Sequence, residues 1–354
     1  MTLSADLGPC PAAGILVGAD NITLNLNGHR VFGAGTAQDG QYAGVLIAGH
    51  SGVTVTGGRV EHFSAGVAIV NSSHTTVKNM TVRDNVGSYD QLAFADGIVL
   101  FYASNNTIVA NTVVANGVFD NIGVFGHFSD HNLVQNNTVT DSVGIDFEHG
   151  GIGINISFNA FSDVGLPDRG SSLVGNQLIG NTVLRAYANG MSNRGFTQGQ
   201  IIGNTSDYNG VGDATSGFGL GVLGLANSTP HFQDLVQSNT VHGNPQCGIE
   251  VGGFGSRVIS NTATGNGAGP FCTVDLQDDS TANPPCANVW HGNTYIVAGG
   301  SCVTFGGHQV AVPPAVAGGT AGVVRPAPSR GVLPRVEGGF AVGGGVRPGR
   351  GGGG

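Results

Sequence analysis

Apolar residues along this chain alternate at period two over short runs and do not follow the 3.6-residue period of a helix. Gly44-Val45-Leu46-Ile47, Gly66-Val67-Ala68-Ile69, Gly97-Ile98-Val99-Leu100, Gly151-Ile152-Gly153-Ile154 and Gly248-Ile249-Glu250-Val251 each set a glycine before a strand-like run. In a strand, residues two apart share a face, so one set in each run points inward and the other outward. A second pattern recurs between these runs. An Asn-Thr step preceded by β-branched residues stands at Asn111, Asn137, Asn181, Asn204, Asn239, Asn261 and Asn293. Asn79-Met80-Thr81 extends the series backwards, and the gaps from Asn79 onward are 32, 26, 44, 23, 35, 22 and 32 residues. The shortest gaps cluster near 22 residues, room for about three short strands and the turns between them. Longer gaps are the same unit with a loop inserted.

The repeat predicts an all-β fold: a single-stranded right-handed parallel β-helix, a solenoid of about 22-residue coils with loop insertions. Inward side chains would stack on their equivalents at the strand spacing of ~4.8 Å. The repeated asparagines are expected to stack too, each side-chain amide donating to the next at a corner that needs a left-handed residue. Residues 1–30 are assigned to an N-terminal cap and first coil, and 31–312 to the β-helix. Residues 313–354 are assigned to a disordered Gly/Pro/Arg tail, because 20 of those 42 residues are Gly or Pro.

Composition supports strand and turn. The 354 residues include 63 glycines, only 10% are charged, and there is one lysine, Lys78. Soluble helices usually carry many charged residues on their wet face. Net charge is −9, and the tail from 313 holds five arginines against Glu337, so the body has 8 basic and 21 acidic residues, or −13. A body of that sign has no basic stripe for nucleic acid or anionic lipid. No apolar run is long enough to insert in a membrane, and the chain is expected to be a monomer. Of Cys10, Cys247, Cys272, Cys286 and Cys302, three crowd into 272–302, which suits a disulfide joining Cys286 to Cys302. That pairing points to an oxidising compartment, so a secreted, periplasmic or cell-surface protein is expected. No signal peptide opens the chain, and a truncated start would reconcile the two.

The opening Leu3-Ser4-Ala5-Asp6-Leu7-Gly8-Pro9-Cys10-Pro11 and the segment Gly18-Ala19-Asp20-Asn21-Ile22-Thr23-Leu24-Asn25-Leu26-Asn27-Gly28-His29 resemble bacterial right-handed β-helix repeat proteins of the pectin-lyase-like superfamily. NosD-like periplasmic proteins and carbohydrate-binding, sugar-hydrolase-type β-helices are among these. Asp96-Gly97-Ile98, Asn106-Thr107-Ile108-Val109-Ala110-Asn111-Thr112 and Cys286-Ala287-Asn288-Val289-Trp290-His291-Gly292-Asn293-Thr294 fit the same pattern. The resemblance spans roughly residues 3–303 and bears on fold more than activity. It implies an exported protein that binds, and as lyase or glycoside hydrolase cleaves, an extended acidic polysaccharide. The alternative is a non-catalytic glycan-binding or NosD-like accessory protein. Polygalacturonases of the superfamily carry Asn-Thr-Asp, Asp-Asp, Gly-His-Gly and Arg-Ile-Lys motifs; only Asp278-Asp279 matches here. The pectate-lyase Trp-Ile-Asp-His and the epimerase Asp-Pro-His-Asp motifs are absent.

Candidate chemistry lies where the repeat is interrupted, near Val86–Ala95, Asp141–Gly170 and Ser206–Asp234. Insertions at equivalent corners of a solenoid can wall a groove for a chain-like ligand. In Asp146-Phe147-Glu148-His149, a continuous strand would project Asp146 and Glu148 together, about 6–7 Å apart. Such a pair can divide acid and base roles across a glycosidic bond, with His149 titrating near neutrality. They could equally hold Ca²⁺, or be a solvated strand end. Arg83 and Tyr89 suit β-elimination from a uronate, as neutraliser and base. Asp84, Asp90 and Asp96 are the candidate Ca²⁺ ligands, although Asp96 also reads as a structural turn residue. Asp163, Asp168 and Arg169 are assigned to the substrate groove. Phe101, Tyr102, Phe125 and Trp290 could stack on sugar rings or pack internally.

Overall fold

The computed structural model describes residues 1–35, 42–87, 95–126, 128–146, 149–150, 152–157, 173–212, 217–223, 233–252, 254–279, 287–304 and 308–309. Statements of structure refer to these. They form a right-handed parallel β-helix within one compact unit, Met1–Pro313.

Each regular coil gives one strand to an eleven-stranded sheet (sheet B) and two to a twenty-stranded sheet (sheet A). In one coil these are Ile98–Phe101 in sheet B, then Thr107–Val109 and Thr112–Val114 in sheet A. Pairing between coils is parallel. Ile98 lies against Val67 on one side and Ile122 on the other, and Val113 lies between Val82 and Val139. The inward positions form unbroken apolar columns, fully buried, such as Val67, Ile98, Ile122, Ile154, Met191, Leu220, Ile249 and Leu276. No coil encloses its own interior, so burial comes from stacking.

Corners are fixed by asparagine. Asn111, Asn137, Asn181, Asn204, Asn239, Asn261 and Asn293 stack in one buried column. Each side-chain Nδ2 donates to the next Oδ1 at 2.9–3.0 Å. The backbone N–H of each donates to that same oxygen, as from Asn137 to Asn181 at 3.0 Å. The second Nδ2 proton reaches a backbone carbonyl of a neighbouring strand, as from Asn181 to Val134 at 2.8 Å. Two details differ from the expectation. The column begins with Met80, whose N–H donates to Asn111, so Asn79 is not a rung. The left-handed residue is the one before each rung: Asn79, Ala110, Asn136, Ser238 and Ser260 have φ of 53–56°. Bending the chain one residue early turns the rung itself inward.

Two further ladders hold the other corners. Asn106, Asn132 and Asn176 form one; Asn209, Asn244 and Asn266 run in the other. At the start of sheet B the backbone passes so close to sheet A that glycine is required. A Cβ on Gly97 would sit 2.7 Å from Asn116 Nδ2 and 2.8 Å from Val113 Cγ1.

A disulfide joins Cys247 and Cys272 across adjacent coils, with Cα atoms 5.2 Å apart. The crowding of cysteines after 272 did not reveal this bridge, because a separation of 25 residues places partners one coil apart. Cys302 is also disulfide-bonded. Its expected partner, Cys286, lies outside the described residues, and Cys10 is a buried free thiol.

Candidate functional site on the outer face of sheet B

The insertions leave the solenoid at the two edges of sheet B. Those before Ile98 and Ile152 connect sheet A to its leading edge, and those after Ser157 and Leu223 leave from its trailing edge.

Alternation identifies the outer face of sheet B. Ile98 and Leu100 belong to the interior cluster, whereas Ala68, Val99 and Phe125 form a separate buried cluster with Ala43 and Ala65. Asp96 and Asp120 occupy the register of Ala43 and Ala65 on the next two strands. They are thus neighbouring carboxyls at the leading edge of the sheet, in the column of Ala43 and Ala65. Both are buried, 0% and 1% exposed. The Asp120 N–H donates to Asp96 Oδ1 at 2.9 Å, and Asp96 Oδ2 has no hydrogen-bond partner among the described residues.

Burial, and then the adjacent Asp120 charge, push the Asp96 carboxyl well above the usual carboxylate range, against the opposing pull of the Asp120 amide. The apolar trio Ala95, Val118 and Phe119, immediately before the two aspartates, is buried with them. The Asp96 carboxyl therefore retains a proton to higher pH than an isolated aspartate would. A protonated carboxyl beside a carboxylate supplies acid and base together, as glycosidic cleavage or proton abstraction beside a uronate requires.

The residues nominated from sequence are distributed differently. Arg83 and Asp84 end a sheet A strand and pair with each other at 3.0 Å. Arg83 also pairs with the buried Glu61 at 3.2 Å. Asp96 lies instead at the edge of sheet B, and Tyr89 and Asp90 lie outside the described residues. Among the described residues no group of three His, Cys, Asp or Glu side chains is placed to hold a metal ion. The continuous strand assumed for Asp146 and Glu148 is not what forms. A strand Gly144–Asp146 ends there and pairs antiparallel with His149–Gly150, Asp146 opposite His149. Glu148 lies outside the described residues, as do Asp163, Asp168 and Arg169. Phe125 and Trp290 are buried, Trp290 within the core and donating Nε1–H to Asp278 at 2.7 Å, while Tyr102 is exposed. Asp120 was missed, although a signal existed: Asp96-Gly97-Ile98 and Asp120-Asn121-Ile122 are the same step one coil apart.

Residues 12–161 match the family model described as right handed beta helix region. No curated protein matches the chain. Among solved structures, the A-module of mannuronan C-5 epimerase AlgE4 from Azotobacter vinelandii is 13% identical with a TM-score of 0.53, covering 86% of this chain and 78% of that one. The A-module of AlgE6 from the same organism is 12% identical with a TM-score of 0.53, covering 84% and 76%. The Dettilon tailspike protein is 17% identical with a TM-score of 0.45; the match covers 72% of this chain and spans 54% of that one. At these identities the likeness is one of fold. The strand register, the stacked ladders, the family model and the two epimerase modules together identify the chain as a right-handed parallel β-helix.

Proposed function

We propose that the protein binds and cleaves an extended acidic polysaccharide on the outer face of sheet B, with Asp96 as proton donor and Asp120 as its carboxylate partner. The observation carrying this reading is the buried pair itself. Desolvating two adjacent carboxyls is costly, and titratable groups perturbed by burial and by a neighbouring charge cluster at functional sites. The fold supports it too, since the two epimerase modules act, by their name, on mannuronan. The Cys247–Cys272 bridge supports an oxidising compartment outside the cytoplasm.

The near-complete burial of both carboxyls favours a second reading, a glycan-binding β-helix in which the pair is structural. A panel of acidic and neutral polysaccharides, with Ca²⁺ and with chelator, separates the two. Turnover is read by absorbance of unsaturated uronate and by new reducing ends, and binding by affinity electrophoresis. The catalytic reading expects product from wild type and a loss of at least about 100-fold in Asp96→Asn and Asp120→Asn. Saturable binding without product, unchanged in both variants, would establish the binding protein instead.

A further inference from the structure

The opposite side of the solenoid carries a charge cluster that the sheet B site does not use. Arg30, Arg59 and Arg83 project from three consecutive coils on the outer face of sheet A, around Glu61. Register places Arg30 beside Arg59, and Glu61 beside Arg83. Glu61 is buried, its side chain 3% exposed, while the three arginine side chains are 41–44% exposed. Its carboxylate lies 3.4 Å from Arg30, 3.6 Å from Arg59 and 3.2 Å from Arg83. Asp6 takes Arg30 at 2.7 Å, and the Phe32 ring lies under that guanidinium at 4.2 Å.

The cations are not equally satisfied. Arg30 and Arg83 have second carboxylates, Asp6 and Asp84. Among the described residues Arg59 has only the 3.6 Å ion pair, too long for a hydrogen bond. Lys78, one outward column over on the Thr76–Arg83 strand, forms no ion pair among the described residues. Three of the body's eight cations thus meet on three adjacent strands of a body carrying −13, and Lys78 stands just before the Asn79 bend of the last of them. Like-signed residues gathered against that background are oriented by a buried hub and leave guanidinium and ammonium donors facing outward.

The column continues in a way that fits a chain-like anion. From Arg30 and Arg59 the same outward register runs on through Thr81, Thr112, Thr138, Thr182, Thr205 and Thr240. One hydroxyl stands on each coil at the ~4.8 Å strand spacing, comparable with the step of one sugar in an extended glycan. Threonine favours strands in any case, so the arginine cluster, not the threonine rank, carries the argument.

We infer that the outer face of sheet A is a second docking surface, in which Arg59 and Lys78 take the carboxylates of an acidic glycan whose chain runs along the threonine rank. This rests on the glycan reading above, and adds an anchor remote from the Asp96–Asp120 pair. Arginine presents a planar fork to a carboxylate and lysine a point charge, so Arg59 is the principal contact.

The test is binding of polygalacturonate, a neutral glucan and polyglutamate to the full chain, to Arg59→Ala and to Arg59→Ala/Lys78→Ala, at two salt concentrations. Circular dichroism establishes that each variant is folded, and since Arg59 has no short hydrogen bond its loss should not disturb the stack. Expected is tighter polygalacturonate binding than to either control, weakened about fivefold by Arg59→Ala and further by the double variant. The salt dependence should be reduced in both. Wild-type affinity in the double variant would overturn the docking surface and leave the glycan reading standing. Absence of glycan binding by wild type would remove both, and equal affinity for polyglutamate would overturn the commitment to a glycan.

Discussion

Replacing Asp234 with asparagine probes whether this solenoid tolerates a buried carboxyl inside an amide ladder. Asp234 occupies the corner register of Asn106, Asn132 and Asn176, between Gly199 and Ser256. It is 1% exposed; Oδ1 accepts the Gly199 N–H at 2.8 Å, and Oδ2 has no hydrogen-bond partner among the described residues. Burial pushes its carboxyl up to about 8, whereas an aspartate in the unfolded chain titrates near ~3.9. The folded state therefore holds a proton that the unfolded state releases. Stability from this group is complete below about pH 4 and falls by roughly 1.4 kcal/mol per pH unit until the folded carboxyl itself ionises near 8. At pH 7 that amounts to about 4 kcal/mol. Asparagine keeps the acceptor for Gly199, has no proton to lose, and turns a donor toward Ser256, whose Oγ also lacks a hydrogen-bond partner among the described residues. Urea unfolding of wild type and Asp234→Asn, followed by circular dichroism at half-unit steps from pH 4 to 8.5, gives the comparison. The variant should match wild type near pH 4 and gain on it steadily, to about 4 kcal/mol by pH 7. Two parallel stability curves would refute the argument, because they would mean that Asp234 titrates alike in both states.

Two further substitutions address the scaffold. Asn181→Ala removes the acceptor of two buried donors, the N–H and Nδ2 of Asn137, together with its own bonds to Asn204 and Val134. At about 1–3 kcal/mol per orphaned buried group, a loss of roughly 3–5 kcal/mol is expected in urea titration, much larger than for Thr182→Ala on the outward position beside it. Cys247→Ser/Cys272→Ser opens a bridge between positions 25 residues apart, so about 3 kcal/mol should be lost. Wild type in reductant should lose at least as much, because the Cys302 bridge opens too, and an unchanged unfolding midpoint in the double variant would count against the Cys247–Cys272 bridge.

The fold was legible in the sequence because the Asn-Thr step names the same corner in every coil, and a column of amides cannot form without register. What the step could not give was which residue of the pair bends: the preceding residue does, and it varies among Asn, Ala, Gly and Ser. The site was less legible. Asp146 and Glu148 were paired by strand alternation, a rule that holds within a strand and fails where the strand ends, as it does at Asp146. Asp96 and Asp120 are 24 residues apart and become neighbours only through register, which insertions of unequal length obscure. The Cys247–Cys272 bridge was hidden for the same reason.

Register, once known, offers a more selective guide to function than residue type. Most polar side chains here repeat down a column and are explained by it: asparagine at corners, threonine on the outer face, glycine where sheets meet. The informative positions are those where a column breaks. Asn121 and Asp275 stand where neighbouring coils have glycine, and each accepts a ladder amide carried round the corner, Asn116 to Asn121 at 2.9 Å and Asn266 to Asp275 at 3.0 Å. Those breaks have a structural account. Asp96 and Asp120 replace alanines of the preceding coils, yet the bond from the Asp120 amide to Asp96 Oδ1 leaves Asp96 Oδ2 without a hydrogen-bond partner among the described residues and its proton affinity raised. A column of alanine would have closed that edge at lower cost, since apolar side chains need no partner in a dry environment. Asp234 bears the same cost at an amide corner, and what separates Asp96 from it is the second carboxyl, Asp120, set beside it by register.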